Sequence, residues 1–188
     1  MKIAILSDIH DHVWNLKHAL PHMQDAEALL VCGDLCSPFV VRLLGEGFQK
    51  GPVHIIFGNN DGDAFRINLV ADRFEHIHLH GELFQAEVGG KRFAASHYDN
   101  IAAQLARSGQ FDVVCYGHNH HYHVEQVKDT LMINPGTIMG YDPTSGEDIP
   151  ATFVVYDTSR GQVERREVLA DRGMNPIGES LPAIKGDS

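Results

Sequence analysis

The chain has 188 residues, enough for one domain with a core of its own, and its 43% hydrophobic and 21% charged content is that of a globular protein. Fifteen basic against 25 acidic residues leave a formal charge of −10, which excludes non-specific binding to duplex DNA or to anionic membranes. No apolar run approaches the roughly 18 residues that span a bilayer.

In chain order, the N-terminal MKIAILSD is apolar only from Ile3 to Leu6, too short for a signal peptide and suited to a strand at about 2–7. A helix is predicted at 12–22, a strand at 28–32, a helix at 38–48, a strand at 53–57 and a helix from Asp61 to Phe74. Short apolar strands separated by helices read as βαβ units. From His76 the pattern changes. HIHLHG, LFQAEVGG and KRFAASH read as strands in hairpins, with Gly89-Gly90 as a turn. A helix at 99–109 precedes the DVVCYG strand, and further strands are predicted near 122–128, 130–133, 152–157 and 162–168. One doubly wound sheet does not hold so many strands. The expected fold is therefore an α/β (α+β) four-layer αββα sandwich of two mixed β-sheets flanked by helices. It forms a single domain over 1–170, and 171–188, rich in Gly, Pro and charge, is expected to be a C-terminal tail.

Cys32, Cys36 and Cys115 are odd in number and lie in or beside apolar strands, so they read as reduced thiols. No second pair completes a zinc site with Cys32 and Cys36. A cytoplasmic address is the default expectation.

Five runs (KIAIL, ALLVC, VHIIF, RFAA and DVVCY) each lead into polar groups: Asp8-Ile9-His10, Gly33-Asp34, Gly58-Asn59-Asn60-Asp61, Ser96-His97 and Gly117-His118-Asn119-His120. The carboxyl ends of strands border the ligand crevice in α/β sheets, so one edge collects all of these side chains. Asp8 and His10 are two residues apart, as are His118 and His120, and in extended backbone each pair projects to one side. Gly33, Gly58 and Gly117 precede candidate ligands, where backbone must approach a compact site. Carboxylate, amide oxygen and imidazole donors suit manganese, iron, nickel or zinc, and no thiolate stands among them. Taken singly, Asp8 or Asp34 would read as a helix cap and His97 as a loop histidine. The ordered series outweighs those readings. Asp61 reads as a helix cap, and Arg66 as half of a surface ion pair.

The ordered series D-x-H, G-D, G-N-x-D, H, G-H-x-H resembles the calcineurin-like metallophosphoesterases, above all their small single-domain bacterial and archaeal phosphodiesterase branch. The resemblance covers roughly residues 1–157 and includes Asn134-Pro135-Gly136-Thr137, which is similar to the family's NPGS turn. It implies two divalent metal ions, manganese first, with nickel, iron or zinc as alternatives. It assigns Asp8, His10 and His120 to one ion, Asn59, His97 and His118 to the other, and Asp34 to both. Each ion then keeps about two positions for water and substrate if both are near octahedral. The implied reaction is hydrolysis of small phosphodiesters by attack of a hydroxide bridging the two metal ions. Two dications against Asp8, Asp34 and a hydroxide leave the site formally positive, so it attracts a phosphodiester anion inside an acidic protein.

Two departures from the family pattern bear on mechanism. Many relatives carry His where this chain has Asn60, and an amide donates a hydrogen bond but delivers no proton at neutral pH. The candidate catalytic residues are thus Asp34, Asn60 and His12, the last as a substitute acid. The G-D-x-x-D-R-G run is missing, since Asp34 is followed by Leu35, Cys36, Ser37, Pro38, Phe39 and Val40. That argues against protein phosphatase and dinucleotide tetraphosphate hydrolase activity. The rival from another class is a non-catalytic scaffold or protein-interaction module on the same fold, disfavoured because all seven ligand positions are filled. A small-molecule substrate is expected, with no membrane and no nucleic-acid polymer, and homo-oligomerisation stays open. His121 and Tyr122 are candidates for the substrate mouth. His76, His78 and His80 read as a partly exposed strand face rather than a metal face.

Overall fold

The first part of the chain alternates strand and helix: β1 (Lys2–Leu6), α1 (Val13–Ala19), β2 (Ala28–Cys32), α2 (Pro38–Gly47), β3 (Val53–Ile56), α3 (Ala64–Ala71) and β4 (Ile77–Leu79). Then come β5 (Leu83–Val88), β6 (Lys91–Ser96), α4 (Asp99–Arg107), β7 (Val113–Cys115), β8 (Tyr122–Val127) and β9 (Thr130–Pro135). The chain continues with β10 (Tyr141–Asp142), β11 (Glu147–Asp148), β12 (Thr152–Asp157), β13 (Gln162–Leu169) and β14 (Gly173–Pro176). This computed structural model describes residues 1–169 and 173–176. Residues 170–172 and 177–188, most of the tail expected from 171 onward, lie outside the described residues. Within that segment Gly173–Pro176 pairs antiparallel with β13.

Seven strands form one sheet in the order β14-β13-β12-β1-β2-β3-β4, and five form the other in the order β5-β6-β7-β9-β8. Alternate residues of the first sheet serve two cores. Ala4, Leu6, Leu29, Val31, Val53 and Ile55 pack under Leu16, Val41, Leu44 and Ile67 of the first three helices. Ile3, Ile5, Leu30, Cys32, Ile56 and Val154 face Phe84, Phe93, Ala95, Val113 and Ile133 of the second sheet. Strands buried on both faces read as continuous apolar runs, which is why KIAIL and ALLVC carry no polar alternation. On the outer side of the second sheet, Ala102 and Ala106 of α4 pack on Ala94, Val114 and Met132. The four expected layers are all present.

Three local differences from the sequence reading have physical causes. Pro21 offers no N–H, so α1 ends at Ala19 and tightens into a 3-10 turn over Leu20–Met23. Helix α3 starts at Ala64, capped by Asp63, whose carboxylate accepts the Arg66 N–H at 3.0 Å. Strand β4 is not part of a hairpin: it adds parallel to β3 in the first sheet, and of the three runs from His76 to His97 the second and third, β5 and β6, pair as one.

Candidate metal centre

The loops that leave β1, β2 and β3 in one sheet and β6 and β7 in the other meet at one end of the sandwich. The two-residue spacings do not act through extended backbone, as the sequence suggests. Asp8, His10, Asp34, His118 and His120 all have left-handed φ, between 44° and 73°. Among the described non-glycine residues, Asp11 and Cys36 in the same loops share that conformation, and Lys128 alone lies elsewhere. Asp, Asn and His tolerate it better than most residues, and strained backbone of this kind collects at functional sites. Ladder-like bonds hold the turns in place: Asp8 N donates to Gly33 O at 3.1 Å and His10 N to Asp34 O at 3.0 Å.

Two glycines admit the close approach. A Cβ on Gly33 would stand 2.7 Å from His97 Nδ1, and one on Gly58 would collide with Asp34 Oδ1. The Asn134–Thr137 turn orients two loops at once. Thr137 Oγ1 donates to Asp8 O at 2.8 Å, while Asn134 Nδ2 donates to Gly117 O at 3.0 Å and to Asn119 Oδ1 at 2.8 Å.

Donor atoms converge accordingly. His10 Nε2 lies 3.1 Å from His120 Nε2, and both are within 3.7 Å of Asp8 Oδ1. Asp34 Oδ2 stands 3.5 Å from His10 Nε2 and 3.3 Å from His97 Nε2, reaching toward both halves of the cluster. Asn59 Oδ1 is 3.1 Å from His97 Nε2 and 2.9 Å from His118 Nδ1. The outward nitrogens of two rings are fixed by carbonyls, His97 Nδ1 on Cys32 O at 2.8 Å and His120 Nδ1 on Tyr141 O at 2.6 Å. Such outer contacts set the ring orientation of metal-ligating histidines.

Two sets, Asp8 with His10 and His120, and Asp8 with Asp34 and His97, each have ligand atoms within 4.8 Å of one another. Asp8 thus belongs to both sets, deeper in the cluster than the sequence suggests. Its Oδ1 is buried with no hydrogen-bond partner, and an orphaned acceptor of that kind costs about 1–3 kcal/mol. A cation answers that cost, and the carboxylate, amide and imidazole donors suit a hard or borderline one.

The field of the site points the same way. Burial alone would raise the Asp8 carboxyl, yet contacts with His10 and His120 and the charge of His97 hold it well below the ordinary range. Asp34 is likewise lowered: burial opposes the shift, and His97 and the Asn60 amide outweigh it. His97 and His120 are raised despite burial, by Asp34 and Asp8 respectively. Anionic carboxylates facing raised imidazoles make a site that favours positive charge.

The cavity above the cluster has a volume of about 300 Å³ and is lined by His10, Asp34, Asn59, Asn60, His118, His120, Met139, Tyr141 and Pro143. Asn60 is aimed at Asp34 as well as at the cavity, its Nδ2 donating to Oδ2 and its backbone N–H to Oδ1, both at 2.8 Å. His12 is not among the lining residues. It caps α1, its Nδ1 accepting the Asn15 N–H at 3.3 Å. His121 pairs with Asp142 at 3.5 Å, and Tyr122 packs beneath Arg165, so neither lines the cavity. The expected ion pair of Arg66 is present, to Asp63 at 2.6 Å. All three thiols are free, and burial and then the carboxylates of Asp11, Asp34, Asp61 and Asp8 push that of Cys36 up to about 12.

Sequence reasoning misses two supporting carboxylates. Asp61 is not a helix cap: it accepts backbone N–H groups from Gly58 at 2.6 Å, Asp34 at 3.0 Å and Cys36 at 2.8 Å. Asp11 takes the Ser37 N–H at 3.0 Å and its hydroxyl at 2.6 Å, pinning the first loop to the start of α2. The wall of Met139, Tyr141 and Pro143, set on the β10–β11 hairpin and the stretch before it, also carries no sequence signal.

The chain is 33% identical over 177 residues to phosphodiesterase MJ0936 of Methanocaldococcus jannaschii, covering 91% of this chain and 100% of that protein. A solved archaeal phosphodiesterase superposes with a TM-score of 0.79 at 30% identity, covering 89% of this chain and 99% of that one. Vps29 of Entamoeba histolytica, solved with zinc, shares the fold alone, at 17% identity and a TM-score of 0.64 over 94% of this chain and 97% of its own. The profile of the calcineurin-like phosphoesterase superfamily domain matches residues 1–161, and the chain belongs to that superfamily.

Proposed function

We propose that this chain is a divalent-metal-dependent phosphodiesterase that binds two cations, manganese first among the candidates, and hydrolyses small phosphodiesters. The observation that carries this reading is the gathering of Asp8, His10, Asp34, His97 and His120 about a buried, unpartnered Asp8 oxygen, with Asn59 linking His97 to His118 beside them. In this reading Asp8, His10 and His120 hold one ion, Asn59, His97 and His118 hold the other, and Asp34 reaches both. When bound, the ions supply positive charge for the phosphate oxygens and an acidified water as nucleophile.

The remaining chemistry belongs to the chain. Asp8 and Asp34 stay ionised under the hydrogen bonds and charges that surround them, and so keep the site ready for cations. Asn60 orients both Asp34 oxygens. The hairpin wall leaves room for a small ester group, and a cavity of about 300 Å³ is at the small end for ligand sites. Asn60 holds no transferable proton, and His12 caps α1 and is not among the residues that line the cavity. Neither candidate acid is therefore placed to protonate the departing oxygen, and diesters with good leaving groups are the favoured substrates. Among the described residues no helix is long and apolar enough to cross a membrane.

Purified chain incubated with Mn²⁺ and bis-(p-nitrophenyl) phosphate tests the reading. Metal-dependent turnover that falls at least about 100-fold in Asp34→Asn is expected. Tight metal binding without turnover would instead favour a scaffold.

A further inference from the structure

A second group of histidines lies away from the strand ends. His54 is on β3 and His78 on β4, directly paired in the parallel register, and His80 follows two residues later on the same face. His54 Nδ1 is 3.0 Å from His80 Nε2, with ring centroids 5.1 Å apart. The exposed His78 ring stacks on His54 at 5.5 Å. Buried Phe84 of β5 touches both His54 and His80, with centroids 4.9 Å from each. As β4 and β5 are the edge strands of the two sheets, the three imidazoles sit at the side opening of the sandwich. Their alternation along one strand is visible in the sequence. Their partner across the ladder is not, and His76 stays outside the group, its ring against Phe74.

We propose that His54, His78 and His80 form a separate site for a borderline divalent cation, with zinc as the probe. Two imidazole nitrogens sharing a tetrahedral zinc at about 2.0–2.1 Å stand about 3.3 Å apart, close to the separation of His54 and His80. The pair also repeats the spacing of His10 and His120, 3.1 Å between nitrogens and 5.0 Å between centroids. Phe84 packs on the two inner rings. His78 stacks on His54 outside the 4.8 Å range in which three ligand atoms would already be gathered, so ion binding requires its exposed ring to leave that stack and turn a nitrogen inward. Burial, then the neighbouring His80 and His78, hold His54 down to about 4, so it offers a neutral imidazole at neutral pH. One proton lies between His54 and His80. On binding, it passes through solvent to the other nitrogen of the same ring, so both rings stay neutral and no net proton is released.

The test is zinc content of the full-length, tag-free chain, stripped by chelator and dialysed against Zn²⁺. The His78→Gln/His80→Gln double variant is expected to hold one zinc fewer per chain than the wild type, while keeping its Mn²⁺-supported diester hydrolysis. His78→Gln alone, at an exposed position that the fold tolerates, is expected to weaken that one zinc at least about tenfold. Equal zinc content in wild type and double variant overturns the site. So does unchanged zinc affinity in His78→Gln should the double variant not fold. The count is a difference between chains, so it is independent of how many ions the strand-end centre holds.

Discussion

Asp61 Oδ2 accepts the backbone N–H of Asp34 at 3.0 Å, so a side chain in the loop after β3 holds the carboxylate-bearing turn after β2. The same carboxylate also binds the N–H groups of Cys36 and Gly58. One residue that touches no substrate thereby fixes the relative positions of Asp34 and Asn59.

Asp61→Ala should therefore cost both stability and metal affinity. Three backbone donors lose their acceptor, which is worth about 2–4 kcal/mol in all. Urea unfolding in the presence of chelator reads the stability loss. Metal titration should show binding about 10–100-fold weaker, as for other residues that support ligands.

Gly58→Ala places a methyl group against Asp34 Oδ1 and 2.8 Å from the His97 ring. Activity and metal affinity should fall at least about tenfold with the circular dichroism unchanged. Gly62→Ala is the matched control, because a Cβ there meets nothing within 4 Å. Equal effects at the two positions would contradict the steric account.

Asn60→His supplies a group that titrates near neutrality at the rim of the cavity. The gain should be concentrated on diesters with poor leaving groups, about tenfold or more relative to nitrophenyl esters, since proton delivery matters most there. A Brønsted series across leaving groups checks this. A parallel shift of the whole series would mean that the introduced imidazole acts only on Asp34 positioning.

Asp25 links the first sheet's helical layer to β13. The Arg166 guanidinium, with both nitrogens at 3.1 Å, holds its carboxyl down to about 2, burial opposing and Lys2 assisting. A carboxyl lowered in the fold stabilises it fully above the unfolded value of 3.8, and that contribution fades as pH falls toward 2. The group is largely exposed, so Asp25→Asn should cost only about 0.5–1 kcal/mol at pH 7. The gap from wild type should narrow below pH 3.8 in denaturant titrations.

Much of this was legible in the residues themselves. Strand β2 matches the apolar run Ala28–Cys32 because burial on both faces removes polar alternation, and the five clusters that follow apolar runs do meet in space. What escaped was information carried between distant segments. Asp61 looks like a cap because its partners at 34 and 36 are 27 and 25 residues away. The β10–β11 hairpin has two residues per strand and no apolar pattern. Strand β4 resembles half of a hairpin until its parallel ladder with β3 is seen, and the same ladder brings His54 to His78.

Asp8, Asp34 and Asn59 follow strands of one sheet, whereas His97, His118 and His120 follow strands of the other. A cation shared among them, as proposed, would act as a rivet through both leaves. Chelation would then loosen the seam before either leaf, and the melting temperature would climb with the logarithm of free metal concentration.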